Sequence, residues 1–187
     1  SLVVDPDGCA YVAGTFRSQS VDLGGNVHDK GSPDSYGDFF LVKLDSEGDT
    51  VWSKTFSGGV WADDPPASGK SLAVIEGLAV DSGGTLQVFG TYRSESIDLG
   101  AGPLQNAGAS TDMFLARFDA EGGLLSSAGH GGEKRDRAKA IVLDSEGWRY
   151  FLFNSCNDEV DFGDVVAHRS GNVFNECEAF IVRLPPL

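Results

Sequence analysis

The chain has 187 residues, 41% hydrophobic and 22% charged, a globular composition with apolar material for one large core or a row of small ones. Its 14 basic residues face 28 acidic ones, and the net charge of −14 repels phosphate backbones and anionic surfaces, which argues against nucleic acid and such membranes as partners. No apolar run approaches the ~20 residues of a membrane-spanning helix, and 25 glycines at turn-like intervals lean toward an all-β chain.

The chain opens on the apolar run Leu2-Val3-Val4, with no initiator Met and no charged-then-apolar leader, which reads as part of something longer. Asp5-Pro-Asp-Gly8 turns it into a second run, Ala10-Tyr-Val-Ala-Gly-Thr-Phe16, followed by the signature Val21-Asp-Leu-Gly24. After a variable stretch comes Asp38-Phe-Phe-Leu-Val-Lys-Leu44, then the turn Asp45-Ser-Glu-Gly48 and the run Thr50-Val-Trp-Ser-Lys-Thr-Phe56. Residues 57–70 have no counterpart further on. The order then returns: Leu78-Ala-Val80, the turn Asp81 to Gly84, Leu86 to Tyr92, Ile97-Asp-Leu-Gly100, Asp112 to Phe118, the turn Asp119 to Gly122, and Leu124 to Ala128. It returns again as Ile141-Val-Leu143, the turn Asp144 to Gly147, Tyr150 to Asn154, Val160-Asp-Phe-Gly163 and Glu178 to Leu184, with no fourth run after it.

Self-similarity of this kind is the mark of a repeat architecture. All five turns read Asp-x-x-Gly: the Asp side chain accepts from the turn's own N–H groups and the Gly closes a hairpin in the left-handed region. Each repeat is therefore two tight hairpins in series, strands A, B, C and D. Runs such as Phe39-Phe-Leu-Val42 are apolar on both faces, as in sheets covered on both sides. The stretch 133–140 has the only helix-like charge pattern, its counterpart near Ala73–Gly77 lacks one, and no helix beyond two turns is expected.

The string from Ile97 to Asp119, and Asp136-Arg-Ala-Lys-Ala-Ile-Val-Leu-Asp-Ser-Glu-Gly147, resemble the bacterial SBBP repeats of the seven-bladed β-propeller type. The resemblance covers nearly the whole chain. It implies an all-β fold of about three four-stranded antiparallel propeller blades, incomplete or part of a larger propeller, with no shared catalytic residues and a secreted or surface-attached location. Blade 1 then spans 1–60, an insertion and connection 61–76, blade 2 77–132, and blade 3 133–187 without its last strand. Copy three departs from the pattern with Phe153-Asn154 in place of Gly-Thr.

The candidate site residues are few. The turn residues Asp5, Gly8, Asp45, Gly48, Asp81, Gly84, Asp119, Gly122, Asp144 and Gly147 resemble fragments of a calcium loop, but the further carboxylates such a loop needs do not recur, so hairpin chemistry is favoured, no cofactor is expected, and calcium stays the alternative. Ala67-Ser-Gly-Lys-Ser71 resembles the tail of a phosphate loop, without its first Gly or a strand-then-helix setting. Lys43, Arg117 and Arg183 recur on strand C, and are expected to pair between blades with acids such as Asp38, Asp112 or Glu178. Cys156 follows strand B and Cys177 precedes strand C, which predicts a disulfide there and a free Cys9; no CxxC spacing supports zinc.

His28, His130 and His168 are read as loop histidines with no nucleophile context, so catalysis is not expected. Trp52 is read as packing. Trp61, beside Asp63 and Asp64, lies outside the repeat and divides evenly between ligand stacking and loop packing. Variable segments 25–37, 57–70, 101–111 and 164–177, carrying His28, Tyr36, Trp61 and His168, are expected to gather on one rim and contact a protein or glycan. The expected function is a non-enzymatic binding or scaffold module at a bacterial surface or outside the cell, with further blades or self-association. A surface-layer or filament subunit and a fragment of a propeller hydrolase are the alternatives.

Overall fold

The computed structural model describes residues 1–31, 37–59, 72–108, 110–170 and 176–186. Every regular element among them is a strand, and no helix is long and apolar enough to cross a membrane. The first repeat supplies β1 (Leu2–Val4), β2 (Ala10–Phe16), β3 (Ser20–Asp22), β4 (Val27–Asp29), β5 (Asp38–Leu44) and β6 (Thr50–Phe56). The second supplies β7 (Leu72–Val80), β8 (Leu86–Arg93), β9 (Ser96–Asp98), β10 (Pro103–Gln105), β11 (Asp112–Phe118) and β12 (Leu124–His130). The third supplies β13 (Asp136–Leu143), β14 (Arg149–Ser155), β15 (Glu159–Asp161), β16 (Val166–His168) and β17 (Glu178–Leu184).

These strands form three antiparallel sheets in chain order: β1-β2-β5-β6, β7-β8-β11-β12 and β13-β14-β17. The order is the one that serial hairpins dictate. The turns show why it is stable. In each, Oδ1 of the leading Asp accepts two N–H groups, from Asp7 and Cys9 at Asp5 (3.0 and 2.8 Å) and from Gly83 and Thr85 at Asp81 (both 2.9 Å). The closing glycines Gly8, Gly48, Gly84, Gly122 and Gly147 have φ of 86°, 91°, 80°, 82° and 83°, a region that side chains with a Cβ avoid.

Two features differ from the sequence expectation. Strand A is longer than its apolar core: β7 starts at Leu72 and β13 at Asp136, each passing through a register shift, between Ile75 and Gly77 and between Ala138 and Ala140. The extra residue of this bulge breaks the apolar alternation and hides the first half of the strand, so the boundary drawn at 76/77 cuts through β7. The helix-like 133–140 stretch accordingly contains strand from Asp136 onward.

The second difference lies between strands B and C. The Val-Asp-Leu-Gly signature is not the start of a loop but one arm of a two-stranded ribbon: β3–β4, β9–β10 and β15–β16. Its Asp repeats the turn device, with Oδ1 of Asp22 accepting from Gly25 (2.7 Å), Asp98 from Gly100 (2.8 Å) and Asp161 from Gly163 (2.7 Å).

The sheets stack through their faces. On sheet 1, Tyr11, Ala13, Phe39 and Leu41 form a front that packs on the back of sheet 2, where Leu78, Val88, Phe114 and Phe118 lie. The front of sheet 2, with Ala79, Phe89, Met113 and Leu115, packs in the same way on Ile141, Phe151, Phe180 and Val182 at the back of sheet 3. The ribbons close the seams: Ile97 and Leu99 join the first cluster, Val160 and Phe162 the second. Each such side chain contributes about 1.5–3 kcal/mol by leaving water. No closed ring forms from the three sheets.

Candidate functional site

Among the described residues, a cleft opens on the outer side of the first seam. It has a volume of about 710 Å³ and lies between β6, the tip of the β9–β10 ribbon and the β11–β12 hairpin. Its polar wall carries His28, Ser53, Lys54, Thr55 and Asp98, and its apolar floor Phe56, Leu99, Phe118 and Leu124. Leu99 and Phe118 are buried in the first core, and the rings of Phe56 and Phe118 lie 6.0 Å apart. The floor therefore continues the first core, with half-buried Phe56 and Leu124 beside it, while the wall stands on strand and ribbon.

His28 lies on β4 rather than in a loop, because the ribbon folds back along β6. Thr50 Oγ1 donates to the Leu23 carbonyl at 3.2 Å and fixes the ribbon tip. Nε2 of His28 and Oγ of Ser53 share a hydrogen bond of 2.7 Å. Ser53 was invisible as a site residue, since nothing in its own run distinguishes it. Among the described residues no carboxylate orients the other ring nitrogen of His28, so the pair lacks the third member that an activated serine uses.

The remaining candidates disperse. His168 ends β16, exposed, with Nδ1 3.7 Å from Glu159 Oε2. His130 is not a loop histidine: it ends β12, stacks on Phe162 at 4.5 Å and meets the Asp161 carbonyl through Nδ1 at 2.9 Å. Burial pulls its pKa below the ordinary histidine range, against the raising effect of that carbonyl. Tyr36, Trp61, Asp63, Asp64 and the 67–71 segment lie outside the described residues.

The strand-C cations do not pair with the acids that open their strand. Lys43 Nζ donates instead to the Ala120 carbonyl across the seam (3.2 Å), where Trp52 Nε1 also donates (3.0 Å). The Arg183 guanidinium stacks on Trp148 at 3.7 Å, and Arg117 Nε is buried without a hydrogen-bond partner. Five residues along a strand separate the two charges by about 16 Å and put them on opposite faces. The acids bind backbone: Asp38 accepts from Gly31 (2.5 Å), Asp112 from Ala107 (2.7 Å) and Glu178 from Ser170 (3.1 Å), three copies of one clamp on the returning ribbon.

The ends of β14 and β17 are joined by the Cys156–Cys177 disulfide, with a Cα separation of 4.0 Å, and Cys9 is free. The Arg135 guanidinium donates to Cys177 Sγ at 3.3 Å. No group of three or more metal-ligating side chains occurs among the described residues. Each turn Asp directs Oδ1 to N–H groups of its own turn. In comparisons with known proteins, the chain matches no family model and no curated protein is significantly similar to it.

Proposed function

We propose that the three sheets are blades of a β-propeller and that the chain is a non-enzymatic binding or scaffold module of an exported bacterial protein. The repeated front-to-back stacking supports the blade reading, and three blades fall short of the 4–8 that close a propeller. The disulfide supports an oxidising compartment. The observation that carries the binding reading is the cleft at the first seam, where hydrogen-bonding groups of His28, Ser53, Lys54 and Asp98 surround an apolar floor. A pre-formed concavity with few polar groups over apolar side chains suits a glycan or an extended peptide.

The test is a glycan array and a pull-down from surface extracts, with the wild-type chain beside His28→Ala and Lys54→Ala. Retention by the wild type and at least tenfold weaker binding by both variants is expected. Equal retention by all three removes the cleft from the reading.

A second reading, hydrolysis, is favoured by the His28–Ser53 contact alone. Esterase activity abolished by Ser53→Ala would support it over binding.

A further inference from the structure

Two positions of the repeat show opposite exceptions. The first residue of the strand-A core is Leu78 in sheet 2 and Ile141 in sheet 3, 7% and 4% exposed, but Leu2 in sheet 1 is 62% exposed. The fourth residue of strand C is Leu41 in sheet 1 and Leu115 in sheet 2, 0% and 9% exposed, but Ile181 in sheet 3 is 76% exposed. The first position belongs to the back of each sheet, the second to the front. So the strand-A edge of the back is uncovered only on sheet 1, where Phe16 and Val42 of the same face stay buried, and the front is uncovered only on sheet 3.

The open front is a coherent surface. Ile181 pairs directly with Leu152 across β17 and β14, and Val142 on β13 extends the same face. All three are exposed, whereas their sheet-2 counterparts Leu115, Phe89 and Ala79 are buried under sheet 3. The open back of sheet 1 exposes Leu2 and Val4 beside β2. What covers each face is therefore visible within the molecule twice over: a front is covered by the back of another such sheet.

We infer that the front of sheet 3 docks onto the back of sheet 1 in a second copy of this chain, head to tail. This rests on reading the sheets as blades. Charge favours the same register. At the first seam Lys43 reaches the Ala120 carbonyl in the Asp119–Gly122 turn. Its counterpart Arg183 lies exposed on the open front, and the turn it would meet on the next copy is Asp45-Ser-Glu-Gly48, with Asp49 beside it. A guanidinium thus approaches a carbonyl ringed by acids, in a chain whose net charge of −14 otherwise opposes self-association. A head-to-tail contact is heterologous, so it builds rings or open stacks rather than a closed pair.

The experiment is sedimentation velocity over a wide range of concentrations, in a Cys9→Ser background that prevents thiol cross-linking. Two variants break one face each: Ile181→Lys the front, Leu2→Lys the back. Both sites are exposed, so the monomer stays folded, which near-ultraviolet circular dichroism checks. The unaltered faces should give species larger than a monomer, each variant alone a monomer, and the two variants mixed a heterodimer through the one intact pair of faces. A monomer at every concentration with both faces intact overturns the proposal. So does self-association of Leu2→Lys alone, which would mean front meeting front. Neither result bears on ligand capture by the cleft, so failure here and failure of the binding reading are distinguishable.

Discussion

Asp112 and Asp136, from two different sheets, press on the same glycine: a Cβ on Gly131 would lie 2.5 Å from Asp112 Oδ1 and 2.9 Å from Asp136 Oδ2. The two residues are 2% and 0% exposed, and each keeps an oxygen without a hydrogen-bond partner. The first seam has Ala73 where the second has Asp136, so the acid pair is peculiar to the junction of sheets 2 and 3.

The pair makes stability fall as pH rises. Burial, with the charge of Asp136 added and the Ala107 N–H opposing, pushes the Asp112 pKa from 3.8 up to about 6. Burial raises Asp136 too, against hydrogen bonds from Ser155, Asn157 and Gly132. A raised folded-state pKa means the native state binds the proton more tightly than the unfolded chain. Its contribution is full below pH 4 and lost as pH passes about 6. Asp112→Asn keeps an acceptor for Ala107 and removes the charge. At about 1.4 kcal/mol per pKa unit, it should be more stable than wild type by roughly 2–3 kcal/mol at pH 7 and equal to it near pH 4. Urea denaturation across that range checks this; curves that stay parallel would refute it.

The Cys156–Cys177 bridge should stabilise by about 3 kcal/mol in the chain-entropy estimate, given its sequence separation of 21. The double variant Cys156→Ala, Cys177→Ala should lower the urea midpoint accordingly, with a slope that rises as the uncrosslinked unfolded chain expands. Thiol titration of the denatured, unreduced protein should find one free cysteine, Cys9; three would remove the bridge.

Gly90 is covered by a ring. A Cβ there would lie 2.4 and 2.5 Å from carbons of Phe114 and 2.5 Å from the Val74 carbonyl oxygen. Gly90→Ala should cost about 1–3 kcal/mol by overpacking. Gly14→Ala meets only the Phe40 ring, at 2.7 Å, and that ring is less buried and freer to yield, so its cost should be smaller. Thermal melts of the two variants test the order, and equal losses would contradict it.

Trp52→Phe keeps a ring against Tyr11, which lies 6.0 Å away, but removes the N–H that holds the Ala120 carbonyl. The loss should be about 1 kcal/mol. In a Lys43→Met background the same change should cost more, since the carbonyl then loses both donors. A double-mutant cycle by chemical denaturation measures the coupling, and strict additivity would mean that the two donors act independently.

The sequence by itself determined the A, B, C and D strands of each repeat and their order, because the information is local. Asp5, Asp45, Asp81, Asp119 and Asp144 each build a hairpin from atoms within four residues, and serial hairpins leave one pairing order. The Cys156–Cys177 pair was legible for the same reason, since B and C had to be neighbours. Tertiary structure decided what depends on residues distant in sequence. The first half of strand A hides behind a bulge, and the Val-Asp-Leu-Gly runs show their ribbon only when their partners are in place. His28 acquired Ser53 because the ribbon folds back onto β6, a contact that no spacing announces. Lys43 left Asp38 for the Ala120 carbonyl because strand geometry puts the two charges on opposite faces. Likewise Leu2 and Ile181 carry the same apolar chemistry as their buried counterparts, and only the stacking of sheets leaves these two in water.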